Sequence, residues 1–371
     1  MTAFGKVPRC GFLVLLMMAA LSAPARADDQ AAYRRVNLSL ADSHVIPRYE
    51  RLAEATAALD AEAESFCENP AAEGLPALRA GFVTALDAWM GVQHLRFGPV
   101  QFLLRYDRFA FWPDQRNTGS RHLRKLLTAR DPAALEPRAF GRGSVAVQGF
   151  TALERLLFGK GDGAAFYEGG EAAAYRCQVL RAITGNLAEM SGGILKDWRN
   201  GDSAYRRVIE APGEDNAYYL DDKEVTLEFF KAFHGSLQMV ADLKLARPLG
   251  SSLKKSKPRR SESWRSARSL DNIKTNLRAL QELYAGDGFG ALVKSRGGDP
   301  ELDKTLSGWL VSALEAAESV RPPLSKALSD AAARPQLEKL LTEVRALQEL
   351  ATGRLAKALD LPVGFNAFDG D

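Results

Sequence analysis

Histidine and cysteine are both scarce in this 371-residue chain, which has four of the first and three of the second. His44, His94, His122 and His234 never fall into an H-E-x-x-H spacing, so the helical ligand pair of a zinc peptidase is missing. No G-x-x-x-x-G-K-[ST] occurs. The glycine-rich run from Gly159 to Gly170 follows no strand, which excludes a phosphate loop. Gly141-x-Gly143-x-x-Ala146 follows Pro137-Arg138-Ala139-Phe140, which makes no credible buried strand, so a dinucleotide fingerprint is discounted too. No segment alternates at period two, so sheets are not expected. Long apolar runs are absent beyond the first, and no membrane span is expected.

That first run, Gly11 to Leu21, is too short to span a bilayer. Lys6 and Arg9 precede it and Ala25-Arg26-Ala27 follows, the order of a cleavable export signal. The expectation is a signal peptide over residues 1–27, cleavage after Ala27 and a periplasmic protein. Cys10 precedes the apolar run, the wrong order for a lipoprotein. The leader holds Lys6, Arg9 and Arg26 and no acid, which accounts for the whole formal charge of +3. The remaining chain is neutral and gives no global reason to bind nucleic acid. Only Cys67 and Cys177 remain. An even count in an oxidising compartment points to one disulfide, worth roughly 4–5 kcal/mol in the chain-entropy model. The alternative is two free, buried thiols.

What is present is helix. Apolar residues recur at three and four over 31–63, 75–97, 171–199, 223–245, 266–284, 302–320 and 336–359. Pro47 should kink the first of these, and Gly98-Pro99 should end the second. Phe102 to Pro113 is dense in aromatics and arginine, a cation–π cluster or ordinary core. The long connection from Asn200 to Asp222 is the best domain boundary. The fold class expected is all-α, two related four-helix bundles, residues 28–210 and 211–371. Lys254, Lys255, Lys257, Arg259 and Arg260 form a basic loop, either solvated or able to meet an anionic surface.

One stretch, Gly143 to Gly159 (GSVAVQGFTALERLLFG), stands out for a single acid among apolar neighbours. Thr151 and Glu154 lie one helical turn apart on one face. Gly149 lets another element or a ligand approach. Phe150, Leu153, Leu156 and Leu157 form the adjoining apolar stripe, so Glu154 is expected to be partly buried. A buried carboxylate must be paired, hydrogen-bonded or metal-bound. The competing readings are a capping box with Thr151 as N-cap, and a solvated surface turn.

The chain resembles the imelysin family, the insulin-cleaving metallopeptidase-like exported proteins. The likeness is carried by Val45-Ile46-Pro47-x-Tyr49, the Trp89 to Pro99 segment, Trp112-Pro113 and the Cys177 helix ending in Trp198. Glu262-Ser-Trp264-Arg265-Ser266 and Asn276 to Tyr284 extend it into the second half. The resemblance implies an exported, all-helical protein of two related bundles, often linked to iron uptake. It also implies a Gly-x-His-x-x-Glu signature, which Gly149 to Glu154 occupies with Thr151 in place of the histidine. A threonine hydroxyl is a poor substitute for imidazole at a transition metal.

The function this implies is a periplasmic binding protein for a small ligand or metal ion, iron or another divalent metal. Glu154 is the expected polar anchor and metal ligand, with Gly149, Thr151, His94, Arg96 and Trp112 around it. One alternative is a metallopeptidase in which His94 or His44 replaces the missing ligand. Another is a structural module docking a membrane transporter through Lys254–Arg260.

Overall fold

Proline has no N–H, so a helix that runs into one loses a rung, and Pro47 shows where the strain goes. In the computed structural model, which describes residues 29–362 apart from Lys160, Asp162, Asp202 and Gly298, residues 29–39 form helix α1. The chain then widens into a π turn, Leu40–Val45, and resumes as α2, Ile46–Glu68. The expected signal peptide and the tail beyond Pro362 lie outside the described residues.

Helix α3, Leu75–Val92, follows. It stops five residues short of the predicted Phe97. Gln93 and His94 leave the helix because both side chains are drawn into buried polar contacts, given below. The motif helix α4 spans Phe150–Phe158, and α5 spans Gly170–Arg199. Helix α2 packs along both α3 and α5. Cys67 at the end of α2 forms a disulfide with Cys177 in α5, with Cα atoms 5.6 Å apart. The expected bridge is therefore present.

The second half opens as the first did. Helix α6, Asp222–Gln238, passes into a π turn, Met239–Ala246, just ahead of Pro248. Then come α7, Ser269–Tyr284, α8, Pro300–Ser319, and α9, Arg334–Leu350. Helix α8 packs between α7 and α9. The predicted stripe on α7, Leu270, Ile273, Leu277, Leu280 and Leu283, is fully buried. Each such side chain contributes roughly 1.5–3 kcal/mol by leaving water. Among the described residues there is no strand, so the fold is all-α as expected. No helix among them is long and apolar enough to cross a membrane. The expected division after residue 210 falls at the end of a short helix, Tyr205–Glu210, inside the connection.

Helix α3 lies against α7, so the end of α3 faces the second half directly. Three polar links cross there. Gln93 donates to Glu262 at 2.9 Å, Lys244 donates to Gln93 at 2.7 Å, and Asn276 donates to the Met90 carbonyl at 2.8 Å. A fourth lies further out, where Arg268 of the second half donates to both carboxylate oxygens of Asp87 at 2.8 Å.

Candidate functional site

Gly149 is the N-cap of α4 and has no side chain because none fits. A Cβ there would overlap the carbonyl oxygens of Arg108 and Phe109. The close approach expected of Gly149 is thus made by the protein's own backbone. The glycine holds α4 in place and does not line the cavity beside it. Helix α4 begins at Phe150, so Thr151 lies inside its first turn and the capping-box reading is not realised.

Glu154 is 3% exposed. Its Oε1 accepts the Arg265 N–H at 3.0 Å, the Ser266 N–H at 2.9 Å and the Ser266 hydroxyl at 2.9 Å. Its Oε2 lies 4.0 Å from Arg265 Nη1. Burial pushes the carboxyl pKa up. The two Ser266 bonds and the nearby Arg265 and Arg155 pull it back down. The acid of the first half therefore clasps a loop of the second half, 112 residues further along the chain. That loop is held in an unusual form. Ser263 and Ala267 flank Trp264–Ser266 with φ of 50° and 61°, a region non-glycine residues enter at a cost.

Between α4 and this loop lies a cavity of about 490 Å³, within the range of small-molecule sites. Thr151, Glu154 and Trp112 line it, as the sequence suggested they would be grouped. Across from them stand Glu262, Trp264 and Arg265. Arg247, Arg259 and Arg260 complete the rim, so part of the basic loop faces inward instead of being wholly solvated. Arg265 and Arg259 both lie over the Trp264 ring, at 4.4 and 5.5 Å from its centre.

Two expected members are elsewhere. His94 is buried and meets His44, Nε2 to Nε2 at 2.8 Å. Burial lowers the pKa of both rings, with Arg48 adding to the effect. The two imidazoles bond to each other in the core and neither lines the cavity at Glu154; the other ring nitrogen of His94, Nδ1, is buried without a partner. Arg96 lies over the Tyr106 ring at 4.5 Å and lines a second cavity of about 240 Å³. Trp112 borders both cavities, together with Ala110 and Pro113.

The acids at the main cavity are already engaged. Asp114 accepts from the Thr118 and Gly119 N–H groups and faces Arg155 at 3.3 Å. Glu262 is shared between Gln93, Asn272 and Lys244, the last at 2.7 Å. Among the described residues no group of three or more His, Cys, Asp or Glu side chains is arranged to hold a metal ion. A bare transition-metal ion, which needs several free anionic or imidazole donors, does not fit this donor set.

The sequence singled out α4 and missed its counterpart. Glu262 to Ser266 carried the family resemblance, yet nothing in its composition marked Ser266 as the partner of Glu154. Lys244 was hidden among apolar neighbours in an otherwise helical stretch.

Comparison with known proteins agrees with this architecture. The family model described as Imelysin matches residues 45–351. Iron-regulated protein A of Synechococcus elongatus is 26% identical over 255 residues, 67% of this chain. The match spans 64% of that relative's length. An imelysin-like protein from Psychrobacter arcticum 273-4 superposes with a TM-score of 0.73 at 19% identity, over 91% of this chain and 98% of its own. A protein of Parabacteroides distasonis ATCC 8503, described as an iron-regulated protein A precursor, superposes with a TM-score of 0.69 at 15% identity. It is matched over 86% of this chain and 95% of its own. At these identities the two structures speak for the fold alone.

Proposed function

The chain belongs to the imelysin family, and we propose that it is an exported periplasmic binding protein serving iron uptake, with its ligand in the cavity between α4 and the Trp264 loop. The observation that carries this reading is the joint at Glu154. A buried carboxylate of one half organises a strained loop of the other, and the space left between them is open to a small molecule. Thr151 supplies a hydroxyl on the cavity wall, Trp112 and Trp264 supply flat apolar surface, and Arg265 supplies charge. The relative named for iron regulation supports the link to iron.

The peptidase alternative gains nothing from the geometry, since His44 and His94 are paired with each other and lie off the cavity. The docking alternative loses part of its surface, since Arg259 and Arg260 line the cavity.

The test is a thermal-shift and calorimetric screen of ferric iron presented by chelators of different charge. A Thr151→Trp variant fills the cavity from its wall without touching the Glu154 bonds. Iron-bearing ligands should raise the wild-type melting temperature by several degrees at a hundredfold excess over Kd and leave Thr151→Trp unmoved. Absence of a shift with every iron species, or an equal shift in both proteins, overturns the reading.

A further inference from the structure

The cavity is lined by five arginines, Arg155, Arg247, Arg259, Arg260 and Arg265, against three acids, Asp114, Glu154 and Glu262. The acids are spoken for. Asp114 faces Arg155, Glu262 is neutralised by the buried Lys244, and Glu154 is spent on the Arg265–Ser266 backbone. The arginines are not balanced in the same way. Among the described residues neither Arg247 nor Arg260 has an acidic partner, and Arg259 has only the Trp264 ring. Partial burial disfavours the charge on Arg247, and the neighbouring Arg260 adds to the effect. Like charges gathered at the mouth of a half-enclosed cavity are an unfavourable arrangement that an anion relieves. Guanidinium groups also match carboxylate and phosphate oxygens with paired donors. The Trp264 ring lies under two of the five, Arg259 and Arg265.

We propose that this cavity takes a small oxyanion with two or more negative charges, carboxylate- or phosphate-bearing, held by Arg247, Arg260 and Arg265. This rests on the binding reading above and deepens it: iron enters as an anionic chelate, not as a bare cation. The chelator supplies the metal's donors, which the chain lacks at this place, and the arginines supply recognition. Thr151 then needs no imidazole, because it touches the ligand's shell and not the metal.

The experiment is titration calorimetry of the full chain at low salt with five probes: citrate, ferric citrate, pyrophosphate, Mn²⁺ alone and uncharged glycerol. Two double variants accompany it. Arg247→Gln/Arg260→Gln removes two cavity charges, and Lys254→Gln/Lys255→Gln removes two charges from the exposed part of the same loop. The expected result is anion binding that weakens with added salt and falls about 10- to 100-fold in the arginine pair. The lysine pair should stay within about twofold, since both side chains are exposed and neither lines the cavity. Citrate against pyrophosphate tells carboxylate from phosphate recognition. Should the arginine pair not fold, Arg260→Gln alone, at an exposed position, carries the test with a loss of about tenfold. The inference is overturned if no anion binds, if the arginine variants bind anions as wild type does, or if Mn²⁺ alone binds more tightly than every anion. Equal binding of citrate with and without iron would leave the anion site standing and sink the iron link, so the two proposals fail separately.

Discussion

Replacing Glu154 by alanine takes one acceptor away from three donors. The Ser266 hydroxyl has a second partner, the Ser263 carbonyl at 3.1 Å, and turns to it. The N–H groups of Arg265 and Ser266 have no such exit. Each unsatisfied backbone donor in a partly buried setting costs about 1–3 kcal/mol. The relief of no longer burying a carboxylate offsets part of that, since burial is the largest influence on this group. The net expectation for Glu154→Ala is a loss of about 2–4 kcal/mol, or about 3–6 °C in melting temperature for a chain this large. Glu154→Gln keeps an acceptor and loses only the charge assistance, so about 1 kcal/mol is expected. The pH dependence separates the two effects. The folded pKa of Glu154 is raised above the ordinary glutamate value, so its contribution is full below that value and declines as pH rises through the folded pKa. Glu154→Gln should flatten that decline while Glu154→Ala also shifts the whole curve downward. Denaturant midpoints of the three proteins from pH 4 to pH 8 measure both. If Gln is as damaging as Ala at every pH, the three donors are not what Glu154 satisfies.

Gly149→Ala should destabilise by about 1–3 kcal/mol, because the new methyl meets two backbone carbonyls that cannot rotate away; a midpoint within 0.5 kcal/mol of wild type would contradict that packing. Cys67→Ser/Cys177→Ser opens a loop of 110 residues and should cost roughly 4–5 kcal/mol in the chain-entropy model, read from midpoints in oxidising buffer; a loss below about 1 kcal/mol would show that the unfolded chain gains little freedom. Both rings of the His44–His94 pair have lowered pKa values in the fold, so stability is full above the unfolded value of 6.5 and falls as pH drops below it. By pH 5.5 this amounts to on the order of 1 kcal/mol for each histidine, and a slope that His94→Gln fails to reduce would refute it.

The fold was legible because its signals are local. The stripe on α7 repeats at three and four, Pro47 interrupts a pattern that is otherwise unbroken, and the two cysteines left after the leader could pair only with each other. The site was legible in halves. Thr151, Glu154 and Trp112 were grouped correctly because motif residues on one helix turn share a face, and because Trp112 lies close to α4. Arg96 and His94 were not, because the end of α3 seemed to continue as helix to Phe97. The structure turns it inward after Val92, so residues expected at a helix terminus are divided between the core and a neighbouring cavity. Arg247 went unmarked, and Arg260 and Ser266, though noted in the basic loop and in the family segment, could not be placed at the cavity for a further reason. Their roles depend on a loop that folds back across more than a hundred residues, and no spacing rule reaches that far.

The end of α3 also shows how the two halves differ. Each half enters through a helix that widens into a π turn before a proline, and each π turn buries one polar side chain, His44 in the first and Lys244 in the second. These meet neighbouring residues, His44 bonding to His94 and Lys244 to Gln93. The outcomes diverge with the charge. Two neutral imidazoles share one hydrogen bond and bring no buried charge to be neutralised, although His94 Nδ1 is left without a partner. A buried ammonium cannot stay unpaired, and burial lowers the Lys244 pKa while Glu262 raises it back. Glu262 must therefore come inward to it at 2.7 Å, which fixes the start of the loop that carries Trp264, Arg265 and Ser266. With one end of that loop tied to Lys244 and the other to Glu154, Arg265 between them is held at the cavity wall. On the proposed binding reading, lysine at 244 is expected to act on the ligand at a distance. Lys244→Met, a near match in volume, releases Glu262 and should weaken anion binding through a loosened loop even though residue 244 does not line the cavity.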